Sequence, residues 1–326
     1  MIKTRVSSLP KLLFLCSLSL FAFFSCEKSS PTLAEEAEEA TVVDKPGNGT
    51  IAKSGCLDYF AITEAPNSEI IHLQGGSYTL IGTTTLTATS GGDPISISDL
   101  KGISRFADAG YYVTTGPNNP APYDNALLEI DPFSGTVLRH VMNIGSTVSD
   151  ICFVDSTFGP FFGFVGLGNN NNSLVWLPVP HPSGPVGMPV GIGLVDIEPG
   201  YTASGLTWAY PTDPDPLCRQ DFQLYVTATS PLSNKAHIYE VDPSSGATVF
   251  YANLIGQELQ GTHTACGWSY CKQEFQFGHL TKALNAHTFS VGLLNCHNKP
   301  GPWPNAIVRP IQPNAYEDFC SEPYAF

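Results

Sequence analysis

Gly110-Tyr-Tyr-Val-Thr-Thr115 leads through a polar loop to Ala126-Leu-Leu-Glu-Ile-Asp-Pro-Phe-Ser-Gly135, then to Val137-Leu-Arg-His-Val141 and the pair Ile144-Gly145. The same order returns about a hundred residues later. Phe222-Gln-Leu-Tyr-Val-Thr227 leads to His237-Ile-Tyr-Glu-Val-Asp-Pro-Ser-Ser-Gly246, then Thr248-Val-Phe-Tyr-Ala252 and Ile255-Gly256. A looser copy runs from Phe161 through Ser173-Leu-Val-Trp-Leu177 to Ile192-Gly193, and a shorter one from Tyr59 through Glu69-Ile-Ile-His-Leu73 to Ile81-Gly82. Each mark is followed by another apolar stretch: Lys101–Phe106, Ser149–Val154, Ser204–Trp208 and, less clearly, Ala265–Tyr270.

The unit read from this pattern is one strand, a hairpin pair, and a fourth strand after the Ile-Gly mark. It recurs every 48 to 63 residues. That period and strand count predict an all-β fold, a β-propeller of about five four-stranded blades with four to six tolerated. A β-sandwich is the alternative, and it would make the repeats accidental. The N-terminal copy lacks a first strand and the C-terminal segment is degenerate, so the two chain ends are expected to share a blade, removing exposed sheet edges. The Asp-Pro-x-Ser-Gly turns have a mechanism: the Asp side chain caps, Pro presets φ, and Gly supplies the positive φ that reverses the chain. They resemble the hairpins of many β-propeller families, over about residues 57 to 270. That resemblance implies an architecture and no ligand.

Composition agrees with short strands and many turns. Hydrophobic residues make up 42% and charged residues 13%, with 30 Gly and 27 Pro, a profile foreign to a helical bundle. The formal net charge of −14 excludes nucleic acid as a general partner, because long-range repulsion must first be overcome.

The first 26 residues set an address. Lys3, Arg5 and Lys11 precede an apolar run from Leu12 to Phe24, and Ser25-Cys26 closes it. Residues 1–25 therefore read as a signal peptide ending in a lipobox, with Cys26 as the lipidated residue. The apolar run is shorter than the roughly 20 residues a membrane span needs. This leader resembles those of Gram-negative lipoproteins, and Cys26-Glu-Lys-Ser29 looks most like the Bacteroidota type. The resemblance implies an outer-membrane protein held by its N-terminal lipid. The acidic cluster Glu35, Glu36, Glu38 and Glu39 points to the outward face, with the periplasmic face as the alternative. Residues 26–55 read as a flexible acidic linker that cannot bury enough surface to offset chain entropy. Residues 56–326 then form one domain with a Cys-rich segment at 261–326.

Nine cysteines need separate accounting. Cys16 leaves with the signal peptide and Cys26 carries lipid. Cys152 sits inside Ile151-Cys-Phe-Val154 and reads as a small buried hydrophobe. Cys56, Cys218, Cys266, Cys271, Cys296 and Cys320 are the disulfide candidates of an exported domain, with connectivity open. His263, His279, His287 and His297 lie among the last of these, but Cys266-x4-Cys271 is no recognised zinc knuckle, so neither metal nor cofactor is expected. His72, His140 and His237 fall on repeat strands and read as half-buried structural histidines.

Catalysis has little support. No nucleophile elbow, zinc-protease helix, phosphate loop or dinucleotide fingerprint is present. Asp93, Asp99, Asp150, Asp155, Asp213, Asp215, Asp221 and Glu258 could supply a carboxylate pair, yet each is a turn residue first. Aromatics near loops are more suggestive, among them Tyr111, Tyr123, Trp176, Trp208 and Tyr210, with Asn169–Asn172 as a polar tip. The expected function is a surface module binding an extracellular glycan or protein. A propeller hydrolase or lyase, and an accessory subunit of an outer-membrane assembly, are the alternatives. No oligomeric state is implied.

Overall fold

The computed structural model describes residues 58–63, 67–74, 79–106, 110–154, 163–168, 172–179, 187–209, 223–230, 235–255, 264–269, 274–279, 288–292, 305–307, 309–312 and 318–319. All of them lie in the compact unit Ile51–Phe326, and every regular element among them is a strand. In chain order these are β1 (Tyr59–Ile62), β2 (Ile70–Leu73), β3 (Leu80–Thr84), β4 (Leu86–Ser90) and β5 (Asp93–Ile97). Next come β6 (Leu100–Phe106), β7 (Gly110–Thr115), β8 (Ala126–Asp131) and β9 (Thr136–Asn143), then β10 (Val148–Val154), β11 (Gly163–Gly168), β12 (Ser173–Pro178) and β13 (Val190–Leu194). β14 (Thr202–Ala209), β15 (Gln223–Ser230), β16 (Lys235–Val241) and β17 (Thr248–Ile255) follow. The tail holds β18 (Thr264–Ser269), β19 (Glu274–His279), β20 (Thr288–Gly292), β21 (Asn305–Ile307), β22 (Arg309–Gln312) and β23 (Asp318–Phe319).

These strands make five sheets, ordered β23-β1-β2-β3, β5-β4-β9-β8-β7-β6, β10-β11-β12-β13, β14-β15-β16-β17-β21 and β18-β19-β20-β22. The strands β6, β10, β14, β18 and β23 each begin a sheet. β6 packs against β10, β10 against β14, β14 against β18, and β23 against both β18 and β6. A ring of first strands that closes on itself is a β-propeller, and it leaves no room for the two facing layers of a sandwich. The blade number falls within the expected four to six.

Ring closure by shared chain ends is as expected. Ala61 and Ile62 of β1 pair with Phe319 and Asp318 of β23. The apolar stretch that begins at Ala265 lies in β18 as far as Ser269 and starts its own sheet: Gly267 pairs with Gln276 and Trp268 with Phe275. The strand that completes the N-terminal blade comes from the last ten residues.

One expectation is corrected. The strand after each Ile-Gly mark does not end its own unit, but starts the next. β10 pairs with β11 through six partners, from Val148↔Gly168 to Val154↔Gly163, while β9 pairs with β8 and β4. The reason is that β9 is the repeat strand farthest from β6 in its sheet, so the chain must return to the ring of first strands before the next sheet begins. The marks are also looser than equivalents. Ile81-Gly82 lies within β3 and Ile192-Gly193 within β13, Ile144-Gly145 follows β9, and Ile255 ends β17.

Why the strands read as continuous apolar runs is visible in the core. Neighbouring blades cover both faces of each sheet, so successive residues serve different interfaces. Leu128 and Val113 pack with Phe60, Ile70 and Leu100 toward the first blade. Leu127 and Tyr112, one residue away, pack with Ile151 and Phe164 of the third. Val165 and Cys152 in turn pack with Leu206, Trp208 and Val226 of the fourth. Cutting a fully buried Leu128 to Ala therefore removes contacts across an interface, at a cost of about 2–5 kcal/mol.

The two Asp-Pro-x-Ser-Gly turns share one local geometry. Gly135 N–H donates to Asp131 O at 2.9 Å and Gly246 N–H to Asp242 O at 2.8 Å, with φ of 69° and 79° at the glycines. Phe133 N–H and Ser134 hydroxyl donate to the Asp131 carboxylate, as Ser244 N–H and the Ser244 and Ser245 hydroxyls do to Asp242. Those bonds hold both carboxyls below their ordinary range, the serine hydroxyls (Ser134, Ser244) contributing most. Gly246 docks on the connector that leaves the preceding blade, its O accepting from Asp196 N–H at 3.2 Å, whereas Gly135 O accepts from Thr87 N–H at 2.8 Å on β4, the added strand of its own sheet.

Candidate binding site at the starts of the inner strands

First strands of a propeller run the same way about the axis, so their N-terminal ends share one face. A β-bulge marks each of three such ends, between Leu100 and Gly102, between Val148 and Asp150, and between Ala203 and Gly205. A bulge adds local twist and re-aims side chains. Asp150 uses this to reach the next blade, accepting the Leu206 N–H at 2.6 Å on a buried carboxylate. The equivalent Gly102 leaves space instead: a Cβ there would meet Ile151 N at 2.9 Å.

Asp99, just before β6, is buried as well. Its carboxylate accepts from Asn118 N–H at 3.1 Å, and Lys101 Nζ lies 3.2 Å from Oδ1, an ion-pair distance without hydrogen-bond alignment. The Asn119 side chain accepts from Ser98 N–H and Asp99 N–H and donates to Asp99 O. Both inner carboxylates thus serve blade-to-blade and loop fixation.

Two asparagines repeat a second fixation device. Asn125 and Asn172 precede β8 and β12 with φ of 44° and 50°, a region Asn tolerates better than most residues. Asn125 O accepts from Ile144 N–H and Asn172 O from Val195 N–H, each at 2.7 Å. Their side chains accept from Thr147 hydroxyl at 2.9 Å and Ala203 N–H at 2.8 Å. Asn172 of the expected polar tip is therefore spent on packing, and Asn169–Asn171 lie outside the described residues.

The connector from β13 to β14 builds the most chemically varied group on this face. Tyr201 N–H donates to Glu198 O at 3.1 Å across Pro199-Gly200, with Gly200 at φ 89°. Pro then Gly at the two central positions is the type II turn signature. The turn sets Tyr201 over His237 of β16, ring centroids 4.2 Å apart and 22° from parallel, with Tyr201 Oη 3.1 Å from His237 Nε2. On the other side His237 Nδ1 lies 3.1 Å from Tyr239 Oη and 3.8 Å from Glu198 Oε2. Phe250 closes the floor edge-on to both His237 and Tyr239. His237 is buried, whereas the Glu198 side chain is 60% exposed. Burial pushes the Tyr239 hydroxyl up to about 12, a hydrogen bond to the Glu198 backbone opposing it and the charges of Glu198 and Tyr201 adding to it, so it remains a neutral donor and acceptor. The group presents the exposed Glu198 carboxylate and the half-buried Tyr201 ring to a polar ligand, and no activated nucleophile.

Sequence reasoning had His237 as a structural histidine and missed Glu198 and Tyr201. The Glu198-Pro-Gly-Tyr201 turn directly before an inner strand was the available signal. The three strand histidines differ in placement. His72 lies near the end of β2, stacked on Phe60 at 4.8 Å and 3.1 Å from Asp58, while His140 lies on β9 beside Asn143. Among the loop aromatics, Tyr123 and Trp208 are core, and Tyr111 and Trp176 are half-buried; Tyr210 lies outside the described residues. Cys152 is buried in β10, as expected. Cys26, Cys56, Cys218, Cys271, Cys296 and Cys320 fall outside the described residues, as do Asp155, Asp213, Asp215, Asp221 and Glu258. Cys266 and His279 are described in backbone alone, on β18 and β19. Among the described residues no group of three or more His, Cys, Asp or Glu is placed to hold a metal.

No family model and no curated protein sequence matches the chain. Solved structures similar to it include the Dos1 propeller, at 14% identity and a TM-score of 0.37, covering 74% of this chain and 62% of that one. The chain thus spans about three-fifths of that protein's length. Another is a Bacteroides uniformis protein described as a candidate 6-phosphogluconolactonase, at 12% identity and a TM-score of 0.30, covering 78% and 68% respectively. The propeller assignment rests on the closed ring of first strands.

Proposed function

We propose that this protein is a lipid-anchored cell-envelope lipoprotein, facing outward from the outer membrane, that binds an extracellular glycan or protein at the Glu198–Tyr201–His237 rim. The observation that carries the reading is the pairing of an exposed carboxylate with an aromatic face on a rigid floor. Tyr201 is stacked on a buried imidazole, so its ring is pre-set for stacking on a sugar or peptide at little entropic cost. The connector is pinned at both ends, by Val195 N–H to Asn172 O and by Ala203 N–H to Asn172 Oδ1. The inner carboxylates Asp99 and Asp150 are already committed to internal bonds, which favours recognition over hydrolysis or elimination at the axis. The signal peptide and Cys26 supply the address.

Glycan-array and envelope-extract binding by the full chain and by Tyr201→Ala and Glu198→Gln variants tests this. Binding that falls at least tenfold in Tyr201→Ala, with an unchanged melting temperature, is the expected result. Equal binding by all three chains overturns the site, and release of depolymerised product places the protein among enzymes instead.

A further inference from the structure

The two phenols that bracket His237 cannot play the same part. A neutral imidazole has one N–H and one bare nitrogen. Tyr201 and Tyr239 each lie 3.1 Å from a ring nitrogen, so one accepts from the ring and the other donates to it. The phenol that accepts must place its own hydrogen elsewhere. Tyr239 has no such place: it is 4% exposed, and His237 Nδ1 is the acceptor open to its O–H among the described residues. The Glu198 backbone also bonds to Tyr239, in the sense that favours the phenolate, which marks the Glu198 N–H as donor. The Glu198 carbonyl accepts from Tyr201 N–H instead. An unpaired O–H at Tyr239 would be buried and costly, whereas Tyr201 is half-buried at the rim and can turn its hydrogen outward.

We propose that Tyr239 donates to His237 Nδ1, that the resulting Nε2–H donates to Tyr201, and that the Tyr201 hydroxyl is thereby left as an outward donor to an oxygen of a neutral glycan. His237 and Tyr239 are positioning residues in this scheme, and Tyr201 makes the contact. The inference rests on the rim being the binding site proposed above, and it chooses glycan over protein. Near that donor the Glu198 side chain, 60% exposed, supplies an acceptor; its carboxylate lies 3.8 Å from His237 Nδ1, beyond hydrogen-bond reach. Sugar hydroxyls answer both groups, since each can accept from the phenol and donate to a carboxylate. Acidic glycans are repelled by Glu198 and by the net charge of −14.

Tautomer and binding are read on full chains of the parent, Tyr201→Phe, Tyr239→Phe and Tyr201→Ala. Nitrogen NMR of the parent is expected to show His237 with Nδ1 bare and Nε2 protonated, and that spectrum decides the tautomer even where a variant does not fold. In Tyr239→Phe the ring loses its donor at Nδ1, so the proton moves there toward Glu198 and the bare Nε2 draws the Tyr201 hydrogen inward. Loss of the Nε2 proton is then expected, with binding to arrayed neutral glycans falling roughly tenfold, the worth of one hydrogen bond, although Tyr239 itself is buried. Tyr201→Phe keeps the stacked ring and is expected to fall as far. A parent with its proton on Nδ1, or Tyr201→Phe binding like the parent while Tyr201→Ala does not, overturns the outward donor and leaves the rim as a site. Binding to an envelope protein and to no arrayed glycan overturns the choice of ligand. Equal glycan binding by all four chains overturns the rim reading together with this one.

Discussion

Replacing Gly246 by Ala tests whether the turns serve as blade-to-blade contacts as well as chain reversals. The backbone there has φ of 79°, and an L side chain at positive φ costs roughly 1 kcal/mol. A second cost comes from the neighbouring blade, since the new Cβ would lie 2.5 Å from Leu194 O and 3.1 Å from Leu194 C. Backbone atoms cannot swing aside as a side chain would, so overpacking adds about 1–3 kcal/mol. Gly135 has a comparable contact where β3 of the first blade leads into β4, its Cβ meeting Thr85 O and the Thr84 side chain. Gly145 is the control: its φ is 80°, yet nothing lies within 4 Å of a Cβ. The full strain-plus-contact cost is then about 2–4 kcal/mol at Gly135 and Gly246, against about 1 at Gly145. For a domain of this size each kcal/mol lowers Tm by roughly 2–4 °C. Calorimetry of the three Ala variants is expected to show Gly135 and Gly246 close together, each falling at least twice as far as Gly145. Equal shifts at all three sites would refute the docking contact, and a shift at Gly246 without one at Gly135 would refute the equivalence of the turns.

Stability also depends on pH through Asp131 and Asp242. Their folded pKa values lie below the ordinary carboxylate range, so their contribution is present above the unfolded value of about 3.9 and is lost as pH falls through the folded ones. Melting curves between pH 2 and 6 are expected to be flatter for the double variant Asp131→Asn, Asp242→Asn than for the parent; parallel curves would contradict the hydrogen bonding. Asp150→Ala leaves the Leu206 N–H buried without this acceptor and is expected to cost about 1–3 kcal/mol, with Asp150→Asn closer to the parent in urea unfolding. Cys26→Ala is expected to abolish incorporation of labelled lipid and to release the protein from membranes, and unchanged membrane retention with a parent chain that takes up no label removes the lipoprotein reading.

The amino-acid sequence by itself determined what is local. The Asp-Pro-x-Ser-Gly turns were legible because every bond that makes them, from Asp131 to Gly135 and from Asp242 to Gly246, lies within five residues. The number of strands per repeat was legible because both faces of a blade are buried and each strand is a short apolar run. Closure by shared ends followed from counting strands against a ring without edges. The β4–β5 hairpin was missed although its signal was there: Gly91 and Gly92 both have positive φ, the pattern of a tight two-residue hairpin turn. What the tertiary structure alone decided is which strand pairs with which. β10 could have ended one blade or begun the next, since its apolar pattern suits either position; hydrogen bonding to β11 settles it. The same holds for the rim. Tyr201 and His237 are thirty-six residues apart, on a connector and on the third strand of the following blade, and nothing in either segment names the other. Burial between blades, rather than any local preference, brings phenol, imidazole and carboxylate together, because packing energy depends on contacts that chain order does not encode.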